Sequence, residues 1–401
     1  MSKNIWIINQ YCGSRIHGMN FRSWYFANEL QKKGHNPIII TGSYSHLIHK
    51  PPIMNSWFKN EEVEGVPYVW VKVRKYVGSK SLGRLVSMLD FMFKLLFLKK
   101  RKLKNPDVIL VSSLSPFPII SAFFWSIRYK SKLLFEIRDL WPLSLIELGG
   151  VSRFNPLSIF FSFFERFGYK VSYKVISVLP CAKDHMISKG MKEDKFVYVP
   201  NGFSPEDSKI AKPLPTGYFN DLPEEKFLIG YTGSIGLANA VEYLIGASKL
   251  LEDDQRFHFI IVGKGQHKEK LQSIAGKNVS FLPQVDKAQV PSVLKKFDVC
   301  FIGLKNQQLF KFGISPNKLF EYMYARKPII QSIKAGNNPV KEANAGFSVE
   351  PENAKEIVNA IFEAYDMPRE ELEALGMNGY KYGLENHSFK KLTEKLISTF
   401  E

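Results

Sequence analysis

Cysteine is scarce. Cys12, Cys181 and Cys300 are the only three in 401 residues, and they are far apart. That excludes a disulfide framework and a thiolate zinc site, and it fits a reducing compartment. Uninterrupted apolar runs of the roughly 18 residues needed to cross a bilayer are also missing. Residues 117–127 are too short, and 82–98 are broken by Arg84, Asp90 and Lys94. No signal-peptide core precedes the strand-like stretch at 5–9. There is no HExxH, Walker loop or GxSxG elbow, and no cluster with metal-ligand spacing. The adjacent Asp253 and Asp254 read as solvent-facing carboxylates at a helix end. No metal and no cofactor are expected.

What is present is a folded composition, 45% hydrophobic and 23% charged. The length suits two domains. The net charge of +17 is confined to one half. Up to Pro200 there are 30 Lys and Arg against 13 Asp and Glu, and from Asn201 onward 25 against 25. An anionic partner for the first half, a membrane surface or nucleic acid, is one reading. A merely soluble basic surface is the other.

Hydrophobic patterning predicts alternating strands and helices. Strands are expected at 5–9, 37–41, 69–73, 107–111, 133–137, 175–178 and 196–199, with an amphipathic helix at 21–33. The Pro-, Ser-, Asp- and Gly-rich stretch 204–223 reads as a linker. A second series follows, with strands at 227–232, 257–262, 279–282, 299–302, 328–331 and 347–349 and helices at 240–251, 316–325 and 354–365. Two such series predict two doubly wound, Rossmann-like α/β domains facing each other across a cleft, with ligands at the carboxyl ends of the strands. The expected spans are 1–203 for an acceptor domain, 204–384 for a donor domain, and 385–401 for a helix returning to the first.

The most informative segment runs from Gly313 to Ile330. Ser315 suits an N-cap and Pro316 a first helical position. The amides of Asn317 and Lys318 would then head a helix, a favourable place for phosphate, with the Lys318 ammonium adding a full charge. Glu321 falls about one turn on, where a carboxylate can accept two hydrogen bonds from a ribose diol. A capped helix with a solvated Lys–Glu pair is the plainer alternative.

This segment resembles the donor-binding signature of the family-4, GT-B-fold retaining glycosyltransferases, in particular the branch that builds bacterial surface polysaccharides. Glu321 matches the second signature Glu, the ribose ligand, and Leu319 lies within the same motif. The first Glu falls on Gly313 and is absent. The loop Tyr231-Thr-Gly-Ser-Ile-Gly-Leu-Ala-Asn239, with Gly233, resembles the diphosphate loop, and it has Ser234 and Asn239 where the family usually places an Arg and a Lys. Gly263, in Val262-Gly-Lys-Gly265, and Val285, in Leu282-Pro-Gln-Val285, match the loops beside the base. In the first half, Gly18 lies in the first glycine loop, Gly18-Met-Asn-Phe-Arg22. Arg138 takes the position of the usual His near the donor sugar and Asp139 that of the acid, in a stretch where an Arg–Asp pair ordering the loop is the alternative. Tyr198-Val-Pro-Asn-Gly202 resembles the interdomain hinge.

The resemblance implies metal-independent transfer from a nucleotide sugar, UDP-linked and of the amino- or deoxy-sugar type, with retention of configuration. Arg138, Asp139 and Lys318 would be the catalytic groups. It implies a lipid-linked saccharide acceptor in polysaccharide or lipopolysaccharide synthesis, and a cytoplasmic enzyme on the inner membrane face. The aromatic-basic stretches 91–104 and 154–170 suit such a surface. Two rivals stay open at this point. A nucleotide-sugar epimerase of the same architecture is separated by product analysis without acceptor. A nucleic-acid-binding module, which lacks any RRM, KH or helix-turn-helix signature and is not expected, is tested by gel shift.

Overall fold

The structure is a computed structural model describing residues 1–14, 16–18, 21–46, 48–78, 81–98 and 103–401, without the side chains of 208–210. Residues 99–102, within the basic stretch singled out above, and Met19 and Asn20 of the glycine loop lie outside the described residues. The chain forms two compact units, Met1–Pro200 with Leu392–Glu401, and Asn201–Lys391.

The first unit is built on eight strands: β1 Asn4–Ile8, β2 Asn36–Gly42, β3 Phe58–Val63, β4 Val66–Val71, β5 Val108–Ser112, β6 Lys132–Ile137, β7 Lys174–Ser177 and β8 Phe196–Tyr198. They run in the order β3-β4-β2-β1-β5-β6-β7-β8. All pairs are parallel except β3 with β4. The near-continuous apolar character of β1, β5 and β6 follows from helices covering both faces. Strand β3 is an addition to the expected series. It carries Lys59, Asn60, Glu61 and Glu62, so no apolar alternation marks it. It exists because a two-residue turn, Glu64 and Gly65 both at positive φ, folds it back on β4.

The second unit has six parallel strands: β9 Phe227–Thr232, β10 Phe257–Val262, β11 Val279–Leu282, β12 Val299–Gly303, β13 Ile329–Ser332 and β14 Gly346–Val349. Their order is β11-β10-β9-β12-β13-β14. The order reverses between β9 and β12, so a crevice opens at the carboxyl end of β9. One apolar cluster, including Tyr231, Leu244, Phe257, Phe259 and Ile361, fills one face. A second, including Ile260, Leu294, Phe297, Phe320 and Met323, fills the other.

The stretch 204–223 is not a free linker. Its Pro205–Ile210 segment is a short 3-10 turn, and Leu214, Tyr218, Phe219 and Leu222 pack on the second unit's core. The Tyr218 hydroxyl donates to the Pro283 carbonyl at 2.6 Å. Spaced aromatic anchors, not polarity, decide the outcome there. The terminal residues join the first unit. Lys132 Nζ donates to the Phe400 carbonyl at 2.9 Å, and Lys33 pairs with Glu394 at 3.0 Å.

Candidate functional site

In the second unit, five expected residues, Gly233, Ser234, Asn239, Gly263 and Lys318, meet at the carboxyl end of β9. Lys318, in the first turn of the helix Asn317–Tyr324, donates to the Tyr231 hydroxyl at 2.7 Å and to Asn239 Oδ1 at 3.0 Å. Its ammonium lies 4.2 Å from the centroid of the Tyr231 ring. Gly233 makes this possible. It holds φ +140°, and a Cβ there would sit 2.8 Å from Lys318 Nζ. Gly263 is equally constrained, since its Cβ would fall 1.9 Å from the Gly233 carbonyl oxygen. The two glycine loops therefore touch backbone to backbone, with Gly233 donating to the Val262 carbonyl at 2.9 Å. The Ser234 carbonyl accepts from the Tyr231 hydroxyl at 2.6 Å. Desolvation pushes the Lys318 ammonium from 10.5 down to about 7, while Glu321 pulls it the other way.

The helix starts one residue later than expected. Pro316 occupies the N-cap position at extended φ/ψ, and no side chain caps the end. Ser315 is not the cap. Its hydroxyl accepts from the Asn201 amide at 2.8 Å, and its carbonyl accepts from the Asn201 side chain at 2.7 Å. The reason is competition, since a buried Asn201 amide needs an acceptor and Ser315 supplies it. The uncapped start leaves the amide end of the helix open to an anion. Leu319 is buried in the core cluster beneath, and Val285 packs against the same cluster.

Glu321 does not pair with Lys318. It forms a salt bridge with Lys287, which follows the 282–285 loop, and both side chains stay partly exposed. The next residue, Tyr322, is fully buried, with its hydroxyl bonded to the Thr232 amide at 3.0 Å. That bond ties the helix to the end of β9.

In the first unit, Arg138 and Asp139 follow the carboxyl end of β6. The expected alternative, an Arg–Asp pair, is not formed. Among the described residues no hydrogen bond or ion pair reaches the Asp139 carboxylate. Desolvation raises this carboxyl above the usual aspartate range, opposed by Arg138 and Arg84. The pair that does form is Arg22 with Glu136, at 2.8 Å and buried on both sides. Arg22 also donates to the carbonyls of Val199, at 2.8 Å, and Pro200. Burial would raise Glu136, but Arg22, Arg138 and the Ser112 hydroxyl at 2.6 Å hold it below its usual value. Gly18, at φ +134°, bridges to Ser14 and Ile48.

Comparison with known proteins decides the family. The description "Glycosyltransferase Family 4" matches residues 16–207. "Glycosyl transferases group 1" matches residues 226–367. This chain belongs to the family-4 glycosyltransferases.

A protein named as a colanic acid biosynthesis glycosyl transferase, WcaI of Escherichia coli K12, is 24% identical over 376 residues, covering 85% of this glycosyltransferase and 86% of that protein. Sucrose-phosphate synthase of Thermosynechococcus elongatus superposes with a TM-score of 0.72 at 15% identity, covering 99% and 98% of the two chains. Anabaena HepE, solved with UDP and glucose, gives 0.65 at 13% identity and covers 99% of each. An E. coli trehalose-6-phosphate protein, bound with UDP-2-fluoro glucose, gives 0.72 at 13% identity, covering 99% and 98%. At these identities the structural likeness shows the fold, which is GT-B.

Several residues that shape these clusters in the glycosyltransferase carry no sequence signal of their own. Lys287 lies 34 residues before Glu321 in sequence. The Arg22–Glu136 contact spans 114 residues. A buried strand ending in Glu, with Arg on the first helix, is the one hint available. Among the described residues no group of three or more His, Cys, Asp or Glu could hold a metal, and no helix is long and apolar enough to cross a membrane.

Proposed function

We propose that this glycosyltransferase moves a sugar from a UDP-linked donor, with retention of configuration, to a lipid-linked saccharide in surface polysaccharide assembly. The observation that carries the reading is the arrangement at β9. A cation freed from competing carboxylates, two glycine loops and an uncapped helix start converge on one crevice. They present positive charge and close backbone, which is what a diphosphate requires. Tyr231 and Asn239 hold Lys318 ready in the absence of ligand. Diphosphate oxygens would replace these neutral partners, and the ammonium would gain charge as it gains an anion.

Glu321, oriented by its salt bridge to Lys287, supplies the two acceptors of a ribose diol. Ser234 and the Gly233 backbone would line the diphosphate, and Gly263 and Val285 the base. Catalysis then rests on the leaving group, since negative charge grows on the diphosphate as the glycosidic bond breaks. Asp139, whose carboxyl desolvation raises above the usual aspartate range, and Arg138 are the first unit's candidates for the donor sugar. HepE, of the same fold, is solved with UDP-glucose, and WcaI is named for colanic acid biosynthesis. Both support the donor class and the polysaccharide setting. The carrying test is a titration of UDP, other nucleoside diphosphates and their sugars. Saturable UDP binding lost in Lys318→Ala and Glu321→Ala is the expected result, and indifference to both changes would overturn the site.

For the acceptor side we read the first unit as a peripheral membrane surface. Helices Leu82–Leu95, Pro118–Tyr129 and Pro156–Val171 are neighbours in sequence of packing. They and their flanks expose Phe93, Phe97, Phe124, Ile127, Phe154 and Phe163. Exposed Arg128, Lys130, Arg166 and Lys170 lie among them. Apolar anchors with interspersed cations suit an anionic interface, each cation contributing about 1 kcal/mol. Co-sedimentation with anionic vesicles, weak with neutral ones and reduced by salt, is expected. Equal recovery in both supernatants would remove the membrane role.

A further inference from the structure

The first unit carries an open pocket of about 500 Å³ that sugar transfer leaves unused. It is lined by Leu143 and Ile146 of the short helix Leu143–Glu147 after β6, and by Ile159, Phe163 and Glu165 of the helix Pro156–Val171. Arg153, Arg166 and Lys189 stand around it. Glu165 is 2% exposed. The Tyr169 hydroxyl donates to its Oε1 at 3.0 Å, and its Oε2 has no hydrogen-bond partner. A buried polar atom left unpaired is costly and calls for an explanation. The three cations add to it, because none of them forms an ion pair among the described residues.

The chemistry fits one kind of occupant. Burial raises the Glu165 carboxyl to about 8, against the Tyr169 hydrogen bond and the pull of Lys189 and Arg166. That shift favours the protonated form, in which the unpartnered Oε2 would be a donor. A donor acid beside two guanidinium groups and an ammonium complements an oxyanion with several acceptor oxygens. Pro142, Leu143, Ile146, Ile159 and Phe163 give the rest of the lining an apolar part, with Ser158, Ser162 and His185 beside it. A free inorganic anion would leave that apolar wall wet.

We propose that this cavity binds an amphiphile with a phosphate head and an apolar chain, the head held by Arg153, Arg166, Lys189 and Glu165 and the chain lying on Leu143, Ile146, Ile159 and Phe163. All these residues lie in the first unit, so the proposal does not depend on the nucleotide reading of the second.

The test uses the full chain and calorimetric titration at pH 7 with dodecyl phosphate, inorganic phosphate and dodecyl maltoside. Dodecyl phosphate should bind one site at least tenfold more tightly than either comparison, on the order of the gain expected from joining charge to apolar burial. Ser162→Trp, which fills the cavity, and the double change Arg166→Glu with Lys189→Glu should each weaken it by about tenfold or more. Unchanged circular dichroism and thermal midpoint on the same samples control for folding. Raising the pH to 9 should weaken dodecyl phosphate binding in the natural protein more than in Glu165→Gln. That comparison isolates Glu165 from Tyr169, His185, Arg153, Arg166 and Lys189, which face it in both proteins. Inorganic phosphate binding as tightly as dodecyl phosphate would make this a plain anion site. Dodecyl maltoside binding as tightly would make it a detergent groove. Undiminished dodecyl phosphate binding in both altered proteins would place the ligand elsewhere. Each of these overturns the proposal.

Discussion

Nucleotide affinity should carry the titration of Lys318. In the free protein desolvation holds its ammonium at about 7. A diphosphate binds the protonated form, so the apparent dissociation constant scales as one plus the deprotonated-to-protonated ratio. With a midpoint near 7 that factor is about 1.1 at pH 6 and about 11 at pH 8, so affinity falls about tenfold, or about 1.4 kcal/mol. The direction follows from linkage, since a lysine lowered in the free protein and restored in the complex takes up a proton on binding. Uptake should be about 0.9 proton at pH 8 and about 0.1 at pH 6, readable by calorimetry in two buffers of different ionisation enthalpy. The terminal phosphate of UDP itself titrates near 6 and works in the opposite direction. Lys318→Arg separates the two, because a guanidinium stays charged throughout and leaves only the ligand's own titration. Parallel affinity profiles for the two proteins, or no proton uptake at pH 8, would refute the placement of Lys318 on the diphosphate.

Other consequences are equally specific. Glu321→Ala should weaken UDP binding by roughly 1–3 kcal/mol, the cost of losing a charged hydrogen-bonding partner, and unchanged affinity in a folded protein would remove its ribose role. Lys318→Ala should lower turnover by a larger factor than it lowers nucleotide affinity, and turnover should survive a chelator; restoration by added divalent metal after chelation would contradict that. Gly233→Ala should leave secondary structure by circular dichroism intact yet weaken UDP binding, because its new Cβ falls 2.8 Å from Lys318 Nζ at a positive φ that L residues rarely adopt. The Glu165 carboxyl is raised in the folded state from 4.5 to about 8, so it stabilises least at high pH. The folded state holds the extra proton between these limits, and stability falls as pH rises through that window. Glu165→Gln should remove the fall, gaining roughly 3–5 kcal/mol on the natural protein between pH 4.5 and 8 in denaturant melts.

Much of the fold was legible because parallel strands buried on both faces are written as short apolar runs. The stretches at 107–111 and 257–262 needed no further context. The two departures share a cause. Strand β3 carries charges and owes its place to a positive-φ turn and a partner strand, so no window of its own sequence reveals it. The stretch 204–223 looks like a linker by composition, yet Leu214, Tyr218, Phe219 and Leu222 are spaced to reach a core they cannot announce. Local propensity yielded to tertiary packing in both.

The donor motif shows where sequence reasoning stops at the level of a site. Spacing placed Lys318 and Glu321 one turn apart and left a Lys–Glu pair open. What separates them in the structure is the third residue each finds. Lys318 turns to Tyr231 and Asn239 because Gly233 leaves room for it, whereas Glu321 turns to Lys287, 34 residues earlier in the chain. A cation neutralised by its own neighbouring carboxylate would have little charge left for a diphosphate. Splitting the pair leaves an ammonium facing neutral groups on one side of the helix and an oriented carboxylate on the other. In the proposed site that separation, set by a missing Cβ and a distant lysine, would let the helix start hold a phosphate and a sugar diol at once.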